Sequence, residues 1–151
     1  SLIPVRGQIL MLKTDSRRLK SVINCGHRYL VPRADGTVLV GSSEEEVGVQ
    51  HGTTPSVLSD LRQVARRLCP GLSAAREMMA GSGLRPLTFD GFPMCGKLPS
   101  SESIFVASGH FRSGIHLSPA TAVCLADLMG GRAPAVALDA FAFGKLQQHG
   151  E

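Results

Sequence analysis

The chain has 151 residues, 43% of them hydrophobic and 19% charged, with a formal net charge of +4; this holds one domain-sized core and excludes disorder and polar low complexity. Its basic residues are scattered, as in Arg17, Arg18 and Lys20 and then Arg62, Arg66 and Arg67, and one tyrosine with no tryptophan gives no basic-aromatic interleaving, so nucleic acid is not an expected partner. No apolar run reaches the ~18 residues a membrane span needs, and Ser1-Leu2-Ile3-Pro4 lacks the order of a signal peptide.

Val5 to Leu12 reads as a strand in which Arg6 and Gln8 alternate with Val5, Gly7 and Ile9. Without an initiator Met, so direct an entry into a strand pattern leads us to expect that the chain begins at a cut. Lys13 to Lys20 is polar and basic and reads as an exposed loop. Two β-rich runs, Tyr29 to Arg33 and Thr37 to Gly41, flank Ala34-Asp35-Gly36 and predict a hairpin. Ser43 to Gly52, with Glu44, Glu45 and Glu46, reads as a solvated loop. Thr54-Pro55 offers an N-cap and a first-turn proline. The helix that follows puts Val57, Leu58, Leu61, Val64, Ala65 and Leu68 on one face and stops at Cys69-Pro70-Gly71.

Ala75 to Leu84 resumes a strand, and Arg85-Pro86 and Asp90-Gly91 turn the chain through an irregular segment. Ile104 to Ser108 is a short apolar strand of the kind buried on both faces. Ser118-Pro119 predicts a second capped helix, reaching about Met129 and ending at Gly130-Gly131. Only Thr121 and Asp127 are polar within it, so it needs cover on several sides, more than a chain this short can provide. This helix and the strand from Ile104 are expected to pair with a missing segment or with another copy. Val136, Leu138, Phe141 and Phe143 predict a last short element that packs back. The fold class is α+β: an antiparallel or mixed sheet with an amphipathic helix, plus a C-terminal strand-loop-helix.

The cysteines Cys25, Cys69, Cys95 and Cys124 form no CxxC pair, and no histidine lies at metal spacing, so they read as reduced, buried cysteines of a cytoplasmic protein and no metal is expected. Three clusters carry candidate chemistry. Arg85, followed by Pro86 at a strand end, has a backbone-fixed guanidinium suited to bidentate capture of a carboxylate, or to pairing with Asp90. The run from Ile104 to Thr121 delivers a strand into a glycine-framed loop that opens a helix. Its close backbone and positive helix terminus favour an electron-rich group such as the carbonyl edge of a flavin. Tyr29, beside His27 and Arg28, is the only tyrosine, and its hydroxyl needs a partner wherever it is covered.

The order of these segments is more specific than any one of them. PVRGQ from Pro4, YLVPRADGTVLVGSSEE from Tyr29, AGSGLRPLTFDGFPMCG from Ala80 and IFVASGHFRSGIHLSPATA from Ile104 together resemble the C-terminal half of the glycine oxidase family, from Pro4 to about Gly131. Within the D-amino-acid oxidase-like flavoproteins, the bacterial thiamine-biosynthesis members are the nearest likeness. The resemblance implies that Arg85 of the GLRP motif binds a substrate carboxylate, with Arg112 of the GHFR segment beside it. Tyr29 then closes the site, and His27 stands near. His110, Phe111, Arg112, Ser113, Gly114, Ile115 and His116 would give main-chain contacts to the ring of FAD.

On this likeness, residues 1–100 belong to a substrate-binding domain and 101–151 to the end of an FAD-binding domain. The implied reaction is hydride transfer from the substrate Cα to FAD, an imine that water hydrolyses, and reoxidation by dioxygen to hydrogen peroxide, with no side-chain base. Two positions depart from the family: Ser113 where Asn is common, and Glu44 where relatives can have an apolar pocket residue. No GxGxxG opens a helix after a strand, so the segment for the ADP half of FAD is expected upstream and the chain alone is expected to be inactive. The alternatives are a sarcosine-like, D-amino-acid or tRNA-modifying oxidase, or a non-catalytic interaction module.

Overall fold

The computed structural model describes residues 1–15 and 19–143; of the loop expected at Lys13 to Lys20, residues 16–18 lie outside the described residues. The architecture is mixed α and β with antiparallel sheets. The chain divides into two compact units, Val5–Leu84 and Ser1–Pro4 with Arg85–Glu151.

The unit Val5–Leu84 is built on a five-stranded sheet of order β2-β3-β4-β1-β5. Its strands are β1 (Leu2–Lys13), β2 (Ile23–Cys25), β3 (Arg28–Pro32), β4 (Thr37–Gly41) and β5 (Arg76–Thr88). The hairpin forms where the sequence predicts it, with Pro32 opposite Val38 and Tyr29 opposite Gly41. Its turn closes through Gly36 N–H to the Arg33 carbonyl at 3.1 Å. Gly36 has φ +79°, and the Asp35 carboxylate accepts from the Thr37 amide and hydroxyl. A type I turn followed by a left-handed glycine is a standard way to close a three-residue hairpin loop.

Helix α1 (Pro55–Leu68) covers one face of this sheet. Leu61 and Ala65 join Leu10, Leu12, Leu30, Val38, Val40 and Leu72 in one buried cluster, with Leu58 and Leu68 packed beside it. Arg28 of β3 donates to Asp60 of the helix at 2.5 Å, and Arg62 pairs with Glu77 of β5.

Arg6 and Gln8 share the side of β1 that carries Leu10 and Leu12, and are 8% and 0% exposed. One expectation about polarity is corrected here: the three glutamates are not all solvated, because after β4 the chain keeps pairing with β1. Ile9 faces Gly41, but Arg6 faces Glu45, so the pairing slips by one residue. Ser43 N–H bonds to the Gln8 carbonyl, which leaves Ser42 as the extra residue of a β-bulge. The slip places the Glu45 side chain directly across from Arg6, which bonds it at 2.6 Å.

Thr54 then serves the same cluster. Its hydroxyl makes no helix cap; it accepts from Arg6 Nη2 and Gln8 Nε2, while its amide donates to Gln8 Oε1. The Arg6 Nε is buried without a partner among the described residues.

In the C-terminal unit, β6 (Met94–Lys97) pairs antiparallel with β7 (Phe105–Ser108), and α2 (Gly114–Met129) follows. Three further corrections fall here. Strand β5 does not turn at Arg85-Pro86 but runs on to Thr88; as the outer strand of its sheet it tolerates a residue without an N–H. The turn comes at Asp90-Gly91, with Gly91 N–H on the Thr88 carbonyl. Strand β7 is not buried on both faces: Phe105, Val106 and Ser108 are half-buried, Ala107 is exposed, and so is Ile104 just before it.

Helix α2 starts at Gly114, four residues before the predicted cap, because Ser113 N–H already bonds His110 in a turn that winds the chain. Pro119 therefore sits inside the helix and cannot donate to the Ile115 carbonyl; the Ser118 hydroxyl donates there instead, at 2.9 Å. At its far end Gly131 takes φ +67°, with Gly131 N–H on Leu128 and Arg132 N–H on Asp127, a Schellman closure. The tail packs back as expected, with the ring of Phe141 edge-on to Phe92 at 6.2 Å. All four cysteines are free. Cys95 and Cys124 are buried as expected, and Cys25, in the outermost strand, is exposed. Burial pushes the Cys95 thiol up, with Cys124 nearby adding to the shift. No described helix is long and apolar enough to cross a membrane.

Candidate functional site

In the C-terminal unit two separated motifs meet. Leu87, just past the arginine of the GLRP motif, forms an isolated antiparallel bridge with His110. Phe111 N–H bonds to the Pro86 carbonyl at 3.1 Å. Counting outward from that bond reaches Arg85 on one segment and Arg112 on the other. The two guanidinium-bearing residues, 27 positions apart in sequence, thus stand on neighbouring backbone. Arg85 is half-buried and Arg112 exposed, and both also engage other groups of the protein. Two like charges so close raise the local positive potential, which favours an anionic group nearby.

The loop between this junction and α2 has an unusual backbone. Gly109 takes φ +78° and Phe111 φ +48°, the left-handed region in which a non-glycine residue is worth a functional hypothesis. A side chain at Gly109 would put its Cβ 2.4 Å from Thr88 Cγ2, so glycine is required there twice over. His110 Nε2 lies 3.0 Å from the Thr121 hydroxyl, which fixes the ring against the second turn of α2. Ser113 precedes the helix without capping it by its side chain. The amides of Gly114, Ile115 and His116, in the first turn, have no carbonyl ahead of them in the helix to bond.

In the other unit, Tyr29 and Gly41 lie on the face of the sheet away from α1, since their neighbours Leu30 and Val40 point into the core. The Tyr29 ring lies across Gly41: a Cβ there would be 2.3 Å from Tyr29 Cζ and 2.4 Å from its hydroxyl oxygen. Ile9 follows Gly41 across the sheet, and Gly81 comes next, its Cβ position 3.9 Å from Ile9 Cγ1. His27 is exposed in the tight turn between β2 and β3. Glu44 is exposed after the bulge, and Glu45 is the glutamate that the fold consumes. Gly41 and Gly81, the two bare positions of this floor, were not singled out from sequence. The turn at Ala34-Asp35-Gly36 already fixed the register that sets Gly41 against Tyr29. Among the described residues no cluster of His, Cys, Asp and Glu could hold a metal.

Comparison with known proteins bears on what this arrangement serves. Residues 1–128 match the family described as FAD dependent oxidoreductase. Glycine oxidase of Pseudomonas aeruginosa is 35% identical over 135 residues, which are 89% of this chain and 37% of that protein. The hydrogen cyanide synthase subunit HcnC of Pseudomonas protegens is 33% identical over 130 residues, 86% of this chain and 31% of that protein. The crystal structure of glycine oxidase from Geobacillus kaustophilus matches with a TM-score of 0.90 at 30% identity, over 100% of this chain and 41% of that one. The chain spans well under half the length of these relatives.

The loop fits part of a flavin by its own geometry. Residues 109–116 present a close-packed glycine and uncapped helix amides, a donor set that suits the carbonyl-bearing edge of an isoalloxazine. Sequence, fold and loop agree, and the chain belongs to the FAD dependent oxidoreductase family.

Proposed function

We propose that the whole protein oxidatively deaminates glycine or a similarly small amino acid or amine, using FAD, water and dioxygen and releasing ammonia, hydrogen peroxide and the carbonyl product, an oxo acid where the substrate is an amino acid. The observation that carries this reading is the Phe111–Pro86 hydrogen bond, which joins the GLRP strand to the GHFR loop and so sets Arg85 beside Arg112. Arg85, held by the strand backbone, binds the substrate carboxylate, and Arg112 adds charge from the adjacent loop. Tyr29 and His27 are assigned to substrate binding on the family likeness, and the amides of residues 110–116 hold the ring end of the cofactor. FAD supplies the two-electron acceptor that dioxygen reoxidises. The protein's own contribution is orientation of the substrate Cα and stabilisation of negative charge, which needs no side-chain base.

The test is a peroxide assay of the FAD-loaded whole protein on glycine, sarcosine, D-alanine and an amine without a carboxylate. Turnover of the small amino acids is expected. Arg85→Ala is expected to weaken them by about 1.5–3 kcal/mol, the worth of a hydrogen bond to a charged partner, or roughly 10- to 150-fold. Unchanged affinity in that variant would overturn the role of Arg85. Turnover of the amine lacking a carboxylate equal to that of glycine would overturn carboxylate recognition by Arg85.

No glycine fingerprint for the ADP half of FAD occurs in these 151 residues. By themselves they are expected to hold FAD weakly and to show no oxidase activity. Fluorescence titration of the 151-residue chain with FAD checks this, and tight binding would contradict it.

A further inference from the structure

Tyr29 is the only tyrosine of the chain, and there is no tryptophan. Its ring does not stand off the sheet as most strand aromatics do. It lies down over the cross-strand partner Gly41, so closely that even a methyl group there would fall within 2.5 Å of three ring and hydroxyl atoms. An aromatic ring laid over a glycine in an antiparallel pair covers otherwise exposed backbone and gives the glycine the packing it lacks.

Two further contacts hold the strands on either side. Arg28, the residue before Tyr29, donates through Nη1 to the Ser42 carbonyl at 2.6 Å and through Nη2 to Asp60. Ser42 is the bulge residue next to Gly41. Arg28 therefore fastens the two strands to each other and to α1 at the point where the ring crosses between them. Yet the tyrosine hydroxyl has no hydrogen-bond partner among the described residues. A ring pinned by the fold, carrying an uncommitted hydroxyl, suits the recognition of a polar group brought from outside.

We infer that Gly41 is a positioning residue. Its lack of a side chain lets the Tyr29 ring lie across the hairpin and fixes where the hydroxyl is presented. This deepens the reading of Tyr29 as a substrate-binding group and rests on it for its functional consequence, but not for its geometry. In Gly41→Ala the backbone at position 41 carries no positive φ to resist an alanine. What must give is the far end of the tyrosine, which swings away about its own side-chain bonds.

The geometry is tested without substrate by NMR of the 151-residue chain. The ring current of Tyr29 is expected to move the Hα signals of Gly41 upfield, and Tyr29→Leu to return them to ordinary glycine positions. With ring-labelled tyrosine the single labelled residue is expected to shift toward free tyrosine in Gly41→Ala. Gly41 Hα signals unshifted in the parent chain, or ring signals unchanged in Gly41→Ala, would overturn the inference. The first of these measurements requires no change at position 41.

The functional consequence is read in the FAD-loaded whole protein. Gly41→Ala and Tyr29→Phe are each expected to raise KM about tenfold with kcat little changed, as loss of one hydrogen bond does, and the double variant no further. If the ring moves in Gly41→Ala while KM stays constant in both single variants, Gly41 still positions the ring. In that outcome the assignment of Tyr29 to substrate binding is what fails.

Discussion

Glu45→Ala is expected to cost about 3–5 kcal/mol of folding stability, because it strands a buried guanidinium. The Arg6 side chain is 9% exposed and that of Glu45 18%. Beyond the ion pair, Glu45 Oε1 accepts from Gln8 Nε2 and from the Ser43 hydroxyl, so alanine would also leave two polar groups short of a partner. Glu45→Gln keeps a side-chain oxygen for Gln8 and Ser43 but loses the charge and sets an amide NH2 where Arg6 Nη2 had an acceptor, so its cost should fall between zero and that of alanine.

The carboxylate also predicts a pH dependence. Burial raises the Glu45 pKa, but the hydrogen bonds from Arg6, Ser43 and Gln8 outweigh it, so the group titrates below its ordinary 4.5. A carboxylate with a depressed folded pKa contributes stability that is complete above the unfolded value. That contribution drains away as pH falls from about 4.5 through the folded value. Urea unfolding at neutral pH and between pH 5 and pH 3 should show the parent chain losing more stability on acidification than Glu45→Gln. Glu45→Ala within about 0.5 kcal/mol of the parent, the range of an ordinary surface change, would mean that the network carries no stability.

Gly109→Ala has the next largest expected effect, about 2–4 kcal/mol, and its two causes can be separated. One is the backbone: alanine at φ +78° is strained wherever it occurs. The other is the collision with Thr88 Cγ2. Thr88 cannot easily rotate out of the way, because its hydroxyl donates to the Phe92 carbonyl at 2.6 Å. Thr88→Ser keeps that hydrogen bond and deletes the colliding methyl. In the Thr88→Ser background, Gly109→Ala should cost only the backbone part, about 1 kcal/mol. The coupling read from the four variants should then be about 1–3 kcal/mol. Equal costs in both backgrounds would show that the methyl contact plays no part.

Where the sequence was legible, one period or one turn governed the outcome. The hairpin around Asp35-Gly36 and the face of α1 bearing Leu61, Val64 and Ala65 emerged at their predicted places. Both are local signals: a left-handed glycine and a 3.6-residue repeat. The errors lie where a long-range partner decides. Nothing in Arg6-Gly7-Gln8 announces that a glutamate nearly 40 residues away will lie opposite, because a one-residue bulge at Ser42 sets that register. The run Glu44-Glu45-Glu46 looks uniform, yet the same bulge turns Glu45 inward. Ser118-Pro119 has the composition of a helix start, but the turn at His110 had already begun the helix, and Ser118 meets the carbonyl that the proline leaves free. Of the candidate site, Arg85 and Arg112 were singled out from sequence, and their meeting through Pro86 and Phe111 needed the fold.

The outward side of α2 bears on how the molecule behaves in water. Ile115 is 90% exposed, and Val123 and Met129 are exposed on the same helix. Apolar side chains presented in this way adhere more strongly in the presence of sulfate and other salts excluded from protein surfaces, and less strongly in the cold. A preparation of these 151 residues should therefore stay dispersed longest in chilled, sulfate-free buffer.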